Sequence, residues 1–225
     1  MVGPAAHEIL PTPTIIPLGD AHILVRFGTR LTDDANRAAI ALAMVLADDP
    51  IPDVLEVVSN LVSVLLRYDP MVASPAAIGG ELRLRLNRVS AAERQAPASQ
   101  IIGVHFGGAD GPDLAEVAAL VGMSPEAFIS AHNAAPLRVL STGFAPGFLY
   151  CGLHADMLTL PRRKTVRPLV PKGSILFAAG QTAITATEMP TGWHVIGRTE
   201  FDNFDPTVEP PTRLRAGDAV IFEAI

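Results

Sequence analysis

The chain has 225 residues, of which 49% are hydrophobic and 18% are charged, so it is rich enough in apolar side chains to bury a core. It carries 17 lysines and arginines against 23 aspartates and glutamates, a formal net charge of −6, which excludes an overall basic field that would attract nucleic acid or anionic lipid. The single cysteine, Cys151, permits neither an intrachain disulfide nor a cysteine-rich zinc cage and favours a reducing compartment.

Neither export nor membrane insertion is predicted. The longest uninterrupted apolar run, Ala38 to Ala47, is about half of the ~20 residues that a membrane-spanning helix needs. Residues Met1 to Leu10 contain no lysine or arginine, so they lack the basic segment with which a secretory signal peptide begins. We expect a cytoplasmic protein with no membrane or nucleic-acid partner.

The N-terminal half has the pattern of a small α+β domain. Residues 1–13 contain three prolines and are interpreted as a loosely held arm. Apolar periodicity and capping residues then predict strands over 21–27, 54–59 and 62–68, helices over 32–47 and 75–89, and a strand over 101–106. The resulting order is βαββαβ, which is that of a ferredoxin-like domain. The last of these strands could belong to either domain.

We place the domain boundary in the polar stretch between Ala91 and Gln100, and the domains at residues 1–95 and 96–225. Beyond it, Pro112 and the Ser124 cap predict helices over 112–121 and 125–132. The rest consists of short strand-like runs between segments rich in glycine and proline, at residues 137–140, 174–179, 183–187, 193–197 and 219–222. This half is therefore predicted to be a small β-barrel or sandwich.

Several common catalytic motifs are absent from the sequence. It contains no Gly-Lys pair and hence no Walker A loop, no G-x-G-x-x-G and no G-x-S-x-G. The six histidines are never spaced i,i+4, so no H-E-x-x-H zinc motif exists and no metal is predicted.

The segment Gly143–Phe148, with the sequence GFAPGF, repeats a Gly-Phe pair around a proline. Such a loop can form the wall of a binding site, in which Phe144, Pro146 and Gly147 would contact the substrate. The alternative is a turn whose phenylalanines fill the barrel core.

The segment Pro161–Pro168 places four cations, among them Arg163 and Arg167, in an otherwise acidic chain. Arginine presents a fork that matches phosphate and carboxylate groups, so these two residues and Arg198 are candidates for binding an anionic substrate. The alternative is a solvated loop, or pairing with acidic residues of a neighbouring subunit.

Two further places carry candidate polar groups. The run Gly180-Gln181-Thr182 stands at a strand junction, where backbone and side-chain groups can converge on a ligand. His132 ends a predicted helix just before the barrel and is a candidate general acid or base. A strand-edge turn and a capping or core histidine are the structural alternatives.

An ordered series of motifs resembles the family of KipI and the B subunit of 5-oxoprolinase, many of whose members carry the name allophanate hydrolase subunit 1. The residues that carry the resemblance are Gly107-Gly108, Gly111-Pro112-Asp113-Leu114, His132, the GFAPGF segment, Pro161-Arg162-Arg163, Val170-Pro171-Lys172-Gly173-Ser174, Gly180-Gln181-Thr182, Gly192-Trp193, Ile196-Gly197-Arg198-Thr199 and Phe204-Asp205-Pro206. They extend over about residues 15–225.

The resemblance implies a cyclophilin-like β-barrel after the N-terminal domain. It also implies a larger partner subunit, known as KipA, the C subunit of 5-oxoprolinase or allophanate hydrolase subunit 2, in a heterodimer or heterotetramer similar to the carboxyltransferase region of urea carboxylase. ATP-dependent opening of the 5-oxoproline lactam would need both chains and a third subunit, with ATP bound either by this chain or elsewhere in the complex, and with this chain inactive alone. The alternative function implied is a KipI-type regulator that inhibits a sensor histidine kinase.

For the enzyme, residue chemistry assigns hypothetical roles. His132 would transfer protons, Gln181 and Thr182 would hydrogen-bond a small amide substrate, and Arg198, with Arg163 and Arg167, would hold carboxylate or phosphate charge. The authentic allophanate hydrolase resembles an amidase that uses two serines and a lysine. Because this chain has no adjacent serines, we do not expect it to hydrolyse allophanate by itself.

Overall fold

The computed structural model describes residues 11–89 and 99–225, and these form two compact units that divide between residues 95 and 96. The first unit is a four-stranded antiparallel sheet in the order β1-β2-β4-β3 with two helices. Its elements are β1 (Thr14–Leu18), β2 (His22–Arg26), α1 (Asp33–Asp48), β3 (Val54–Asn60), β4 (Ser63–Tyr68) and α2 (Pro75–Val89). Alternate residues of the central strands, such as Ile23 and Leu66, are fully buried in one cluster with residues of both helices.

The two helices form where the sequence predicts them. The side chain of Thr32 accepts a hydrogen bond from the backbone N–H of Ala35 and caps α1. Arg85 of α2 is buried, donates to the backbone carbonyls of Asp49 and Pro50, and pairs with the carboxylates of Asp49 and Glu81. These bonds fix the end of α1 against α2.

The predicted βαββαβ order of the first unit is wrong at both ends. The additional strand β1 precedes β2, and its Pro17 is tolerated because β1 is an edge strand, where a missing N–H breaks no ladder bond. The strand predicted over 101–106 is β5 (Ser99–Phe106), which lies in the second unit between β12 and β13. The described elements of the first unit therefore follow the order ββαββα.

The second unit is a closed seven-stranded barrel in the order β10-β7-β6-β13-β5-β12-β9, which confirms the predicted barrel. Its strands are β5, β6 (Leu137–Gly143), β7 (Ala145–Gly152), β9 (Ser174–Ala178), β10 (Gln181–Ile184), β12 (His194–Arg198) and β13 (Ala219–Ala224). The other elements are α3 (Leu114–Leu120), α4 (Pro125–His132), a 3₁₀ turn (Asp156–Leu158) and a small sheet of β8 (Arg167–Val170) and β11 (Met189–Thr191).

The strand register stacks one layer of side chains inside the barrel. Across five neighbouring strands it pairs Val139 with Cys151, Cys151 with Thr182, Thr182 with Phe177, and Phe177 with His194. All five residues are buried. Two of them, Thr182 and His194, bring polar atoms into an apolar interior and need hydrogen-bond partners there.

In the residues that the structure describes, no single helix is long and apolar enough to cross a membrane. The pair α3 and α4 reaches the necessary length and apolarity only together, across a bend of 84°.

Candidate functional site

A chain of hydrogen bonds runs through the interior of the barrel. Oγ1 of Thr182 lies 2.8 Å from Nε2 of His132 and 2.8 Å from Nε2 of His154. The other nitrogen of His132, Nδ1, lies 2.6 Å from Oδ1 of Asn133. The end of α4, the loop after β7 and the first residues of β10 thus meet at a single hydroxyl group.

The hydroxyl group fixes the direction of this chain. Because Oδ1 of Asn133 is an acceptor, Nδ1–H of His132 must donate to it, which leaves Nε2 of His132 as an acceptor. Thr182 has one proton, so it donates to His132 and accepts from Nε2–H of His154. The order of donors is therefore His154 to Thr182 to His132 to Asn133.

Both imidazoles are neutral at physiological pH. Burial lowers the pKa of His132 to about 4, although the hydrogen bond to Asn133 acts in the opposite direction. Burial also lowers the pKa of His154, to about 3, and repulsion from His132 contributes to this shift. The surroundings are aromatic, since Phe177 makes edge contacts with both rings.

A second feature is a shallow cavity of about 360 Å³ at the β6–β7 hairpin. It is lined by Thr142, Gly143, Phe144, Ala145, Pro146, Gly147, Phe204 and Thr212. Phe144 is 72% exposed and has a positive φ of 77°, a backbone conformation that is costly for a residue with a β-carbon. At Gly147, where φ is +86°, a β-carbon would lie 2.7 Å from Cβ of Phe204, so only glycine fits.

The hairpin cavity and the histidine chain lie at opposite ends of β7. Phe144 precedes the strand and His154 follows it. The cavity lining reaches along β7 to Gly147, whereas Thr182 lies level with Cys151, four residues further along the strand, or roughly 13 Å at about 3.3 Å per residue. The structure therefore does not bring all the predicted site residues together.

The predicted anion-binding arginines are already paired within the chain. Asp113 is 4% exposed, and its Oδ1 accepts from Nη1 of Arg163 at 2.8 Å and from Nη2 of Arg167 at 2.7 Å. Its Oδ2 accepts from the backbone N–H of Val195 at 2.8 Å. Glu116 lies 3.5 Å from Arg163, so two carboxylates balance the two guanidinium groups.

The remaining predicted residues occupy three different positions. Gly180 has a φ of +69° in the tight turn between β9 and β10, and its carbonyl accepts from the backbone N–H of His154. Gln181 pairs with Ala178, on the opposite face of β10 from Thr182, and its Oε1 is buried without a partner among the described residues. Arg198 lies at the end of β12, where Nη2 is 3.7 Å from Glu200.

The comparisons with known proteins cover nearly the whole chain. Residues 13–214 match the family model of the carboxyltransferase domain, subdomain C and D. The B subunit of 5-oxoprolinase from Bacillus subtilis (strain 168) is 33% identical over 218 residues, which are 92% of this chain and 91% of the relative. The chain belongs to the 5-oxoprolinase B-subunit family.

Two solved structures share the fold of this chain. TTHA0988 is 34% identical, with a TM-score of 0.76 over 91% of this chain. The urea carboxylase of Kluyveromyces lactis shares the fold, with a TM-score of 0.74 over 96% of this chain at 16% identity. The chain spans 40% of the length of TTHA0988 and 22% of that of the urea carboxylase.

Sequence reasoning missed three residues at the sites of this 5-oxoprolinase family member, namely His154, Asn133 and Asp113. His154 and Thr182 are 28 residues apart, and Asp113 and Arg167 are 54 apart. No local pattern marks such pairs. Two signals were usable for Asp113: its place in the Gly111-Pro112-Asp113-Leu114 motif, and the excess of cations over acids in Pro161–Pro168, which a carboxylate from elsewhere in the chain can balance.

Proposed function

We propose that this chain is the small subunit of a heteromeric amide hydrolase of the 5-oxoprolinase type and acts only together with a larger subunit. The observation that carries the proposal is the match to the B subunit of 5-oxoprolinase from Bacillus subtilis, at 33% identity over 92% of this chain. Both units contribute to this match, so it does not depend on one shared motif.

The chemistry of the barrel supports amide hydrolysis. Breaking an amide bond requires that a proton leave the attacking water and that another reach the departing nitrogen. The chain from His154 through Thr182 to His132 supplies neutral imidazoles on an ordered set of hydrogen bonds. Gln181 directly precedes Thr182 in β10, and its buried Oε1 would accept an amide N–H of the substrate. Arg198 pairs with Ser174 at the opposite end of β9 from Gln181, so we assign it no contact with this substrate group.

The hairpin cavity supports a partner subunit. Thr142 and Thr212 supply the only polar side chains of its lining, so the cavity has no group that could exchange protons. Phe144 projects from it into solvent, and exposed aromatic groups at a rigid turn are typical of protein contacts. In this proposal the larger subunit covers Phe144, Pro146 and Gly147.

ATP is assigned to the complex and not to the arginine segment. Arg163 and Arg167 are held by Asp113 and Glu116, so they do not fit a triphosphate site, which needs cations free to bind phosphate. The ion pairs of Arg163 and Arg167 with Asp113 instead connect β8 with the start of α3. ATP binding then falls to the larger or third subunit.

Reconstitution tests the proposal. This chain would be assayed alone, with the larger subunit, and with both remaining subunits, for ATP hydrolysis that 5-oxoproline stimulates. Stimulation only in the full mixture is the expected result. Light scattering would give the composition, expected as an equal number of small and large subunits.

Two outcomes would contradict the proposal. Full stimulation without this chain would show that it has no part in the site. A stable complex that 5-oxoproline leaves unstimulated would point to a different substrate or to a regulatory role.

A further inference from the structure

Within the hydrolase proposed above, on which this inference rests, we propose that His154 is the group that exchanges a proton with the amide substrate, and that Thr182 and His132 position it. The sequence points to His132 for this role. The geometry of the hydrogen-bond chain assigns the role to His154, at the other end of the chain.

His132 is too enclosed to touch a substrate. The residue is 1% exposed, and the rings of Phe106, Phe128, Phe177 and Phe222 surround it with centroids 5.3 to 6.0 Å away. Both of its nitrogens are already bonded, Nδ1 to Asn133 and Nε2 to Thr182. A ring with neither space nor a free nitrogen can orient another residue but cannot take a proton from a substrate.

His154 has the free nitrogen that His132 lacks. The residue is only partly buried, and its Nε2 is bonded to Thr182 while Nδ1 has no hydrogen-bond partner among the described residues. Because Nε2 carries the proton, Nδ1 presents a lone pair. The backbone N–H of His154 donates to the carbonyl of Gly180 at 2.9 Å, and the edge contact with Phe177 holds the ring.

The step this arrangement supports conserves atoms and charge. Water gives a proton to Nδ1 of His154 as its oxygen bonds to the amide carbon, and the imidazolium then returns that proton to the nitrogen as the C–N bond breaks. During the step Nε2–H of His154 stays bonded to Thr182, whose own proton remains directed at His132. The hydroxyl oxygen therefore faces the transient positive charge, as an orienting group does in a catalytic triad.

The charged neighbours of His154 are few. Of the described residues, His132 is the one titratable group that shifts its pKa electrostatically. Thr182 and Phe177, the other side chains in contact with the ring, are uncharged. The charge state of His154 is thus set by its burial and by the neighbouring ring of His132.

Two replacements at His154 and Thr182 test the roles in the assembled three-subunit complex. His154→Gln keeps an N–H that can donate to Thr182 and replaces the basic ring nitrogen with an amide oxygen that does not take up a proton, so kcat should fall by ~10²- to 10⁴-fold with KM little changed. Thr182→Val removes the hydroxyl at constant shape and should also lower kcat, whereas Thr182→Ser should restore it. His105→Gln, at an exposed position of β5, is the matched control and should retain the wild-type rate.

Nuclear magnetic resonance of the ring nitrogens in the full chain provides a readout independent of turnover. His154 should carry its proton on Nε2 and His132 on Nδ1, and Thr182→Val should abolish the preference at His154. A wild-type rate in His154→Gln, or a proton on Nδ1 of His154, would overturn the inference. If the wild-type complex does not turn over 5-oxoproline, the proposed function fails. The tautomers of His154 and His132 then decide separately whether the hydrogen-bond chain leaves Nδ1 of His154 free to accept a proton.

Discussion

The imidazole rings of His132 and His154 lie with their centroids 4.7 Å apart and tilted by 36°, and both bond to the hydroxyl group of Thr182. Two imidazolium ions so close inside an apolar barrel would repel each other. The native fold therefore does not accommodate two imidazolium ions together, which makes the barrel sensitive to acid.

Acid should destabilise the barrel as pH falls from 6.5 towards 4. Burial lowers the pKa of His132 to about 4 from 6.5, so in this window the unfolded chain binds a proton that the folded chain does not. The contribution of neutral His132 to the free energy of unfolding is fully present above pH 6.5. At pH 5 about 2 kcal/mol of it is lost. Urea unfolding at pH 7 and pH 5, followed by the fluorescence of Trp193, measures this difference.

His132→Gln should reduce the loss of unfolding free energy between pH 7 and pH 5, because it removes one of the titrating groups. His105→Gln, at an exposed position in the same unit, should leave the loss as in the wild type. An equal loss of unfolding free energy in the wild type, His132→Gln and His105→Gln would contradict the conclusion that His132 is buried in its neutral form.

The carboxylate of Asp113 should be a principal stabiliser of the second unit. Asp113→Asn leaves Arg163 and Arg167 with a weakened partner in a site where Asp113 is 4% exposed, and we expect a loss of about 3 kcal/mol in the free energy of unfolding. Glu116→Gln removes an exposed charge 3.5 Å from Arg163 and should cost less than about 1 kcal/mol. Comparable losses in urea titrations would refute this ranking.

Gly111 should not tolerate a side chain. A β-carbon there would lie 2.1 Å from the carbonyl oxygen of Ile196, a backbone atom that cannot move aside. Gly111→Ala should therefore cost at least about 3 kcal/mol or prevent folding. At Gly192 a β-carbon meets nothing within 4 Å, so Gly192→Ala should fold normally; thermal unfolding of the pair checks the contrast.

The two phenylalanines of the hairpin should separate binding from stability. Phe144 is 72% exposed, whereas Phe148 is 2% exposed. Phe144→Ser should change stability by less than about 0.5 kcal/mol and weaken binding to the larger subunit, and Phe148→Ala should cost about 3–5 kcal/mol.

Calorimetric titration of the larger subunit measures the binding effect. Leu120→Ser, which alters a leucine of α3 that is 60% exposed, is the control and should bind as the wild type does. Undiminished affinity of Phe144→Ser would remove the hairpin from the proposed interface.

Local signals were sufficient for most of the helices. The prediction over 32–47 corresponds to Asp33–Asp48, and that over 125–132 to Pro125–His132, because caps and periodicity are contained within each segment. The strands β1, β7, β8 and β11 were missed. Gly143, Pro146 and Gly147 are typical of a turn, yet residues 145–152 form a strand because β6 and β10 pair with it on both sides.

The candidate site was only partly accessible to sequence analysis. Thr182 and His132 were singled out by residue type, and the structure bonds them directly. His154 follows β7 and reaches Thr182 only through barrel closure, which is a non-local property. Arg163 and Arg167 were predicted either to face a ligand or to pair with acidic residues of a neighbouring subunit, and the structure pairs them with the buried aspartate that directly precedes α3 in this chain.

Titration of this chain into fixed amounts of the larger and third subunits, with the rate of glutamate formation from 5-oxoproline and ATP as readout, measures whether the complex needs this chain for hydrolysis. We expect no glutamate without this chain, a linear rise on its addition, and a plateau at equivalence with the larger subunit. A rate that is already maximal before this chain is added, or that stays at zero throughout, would contradict this expectation.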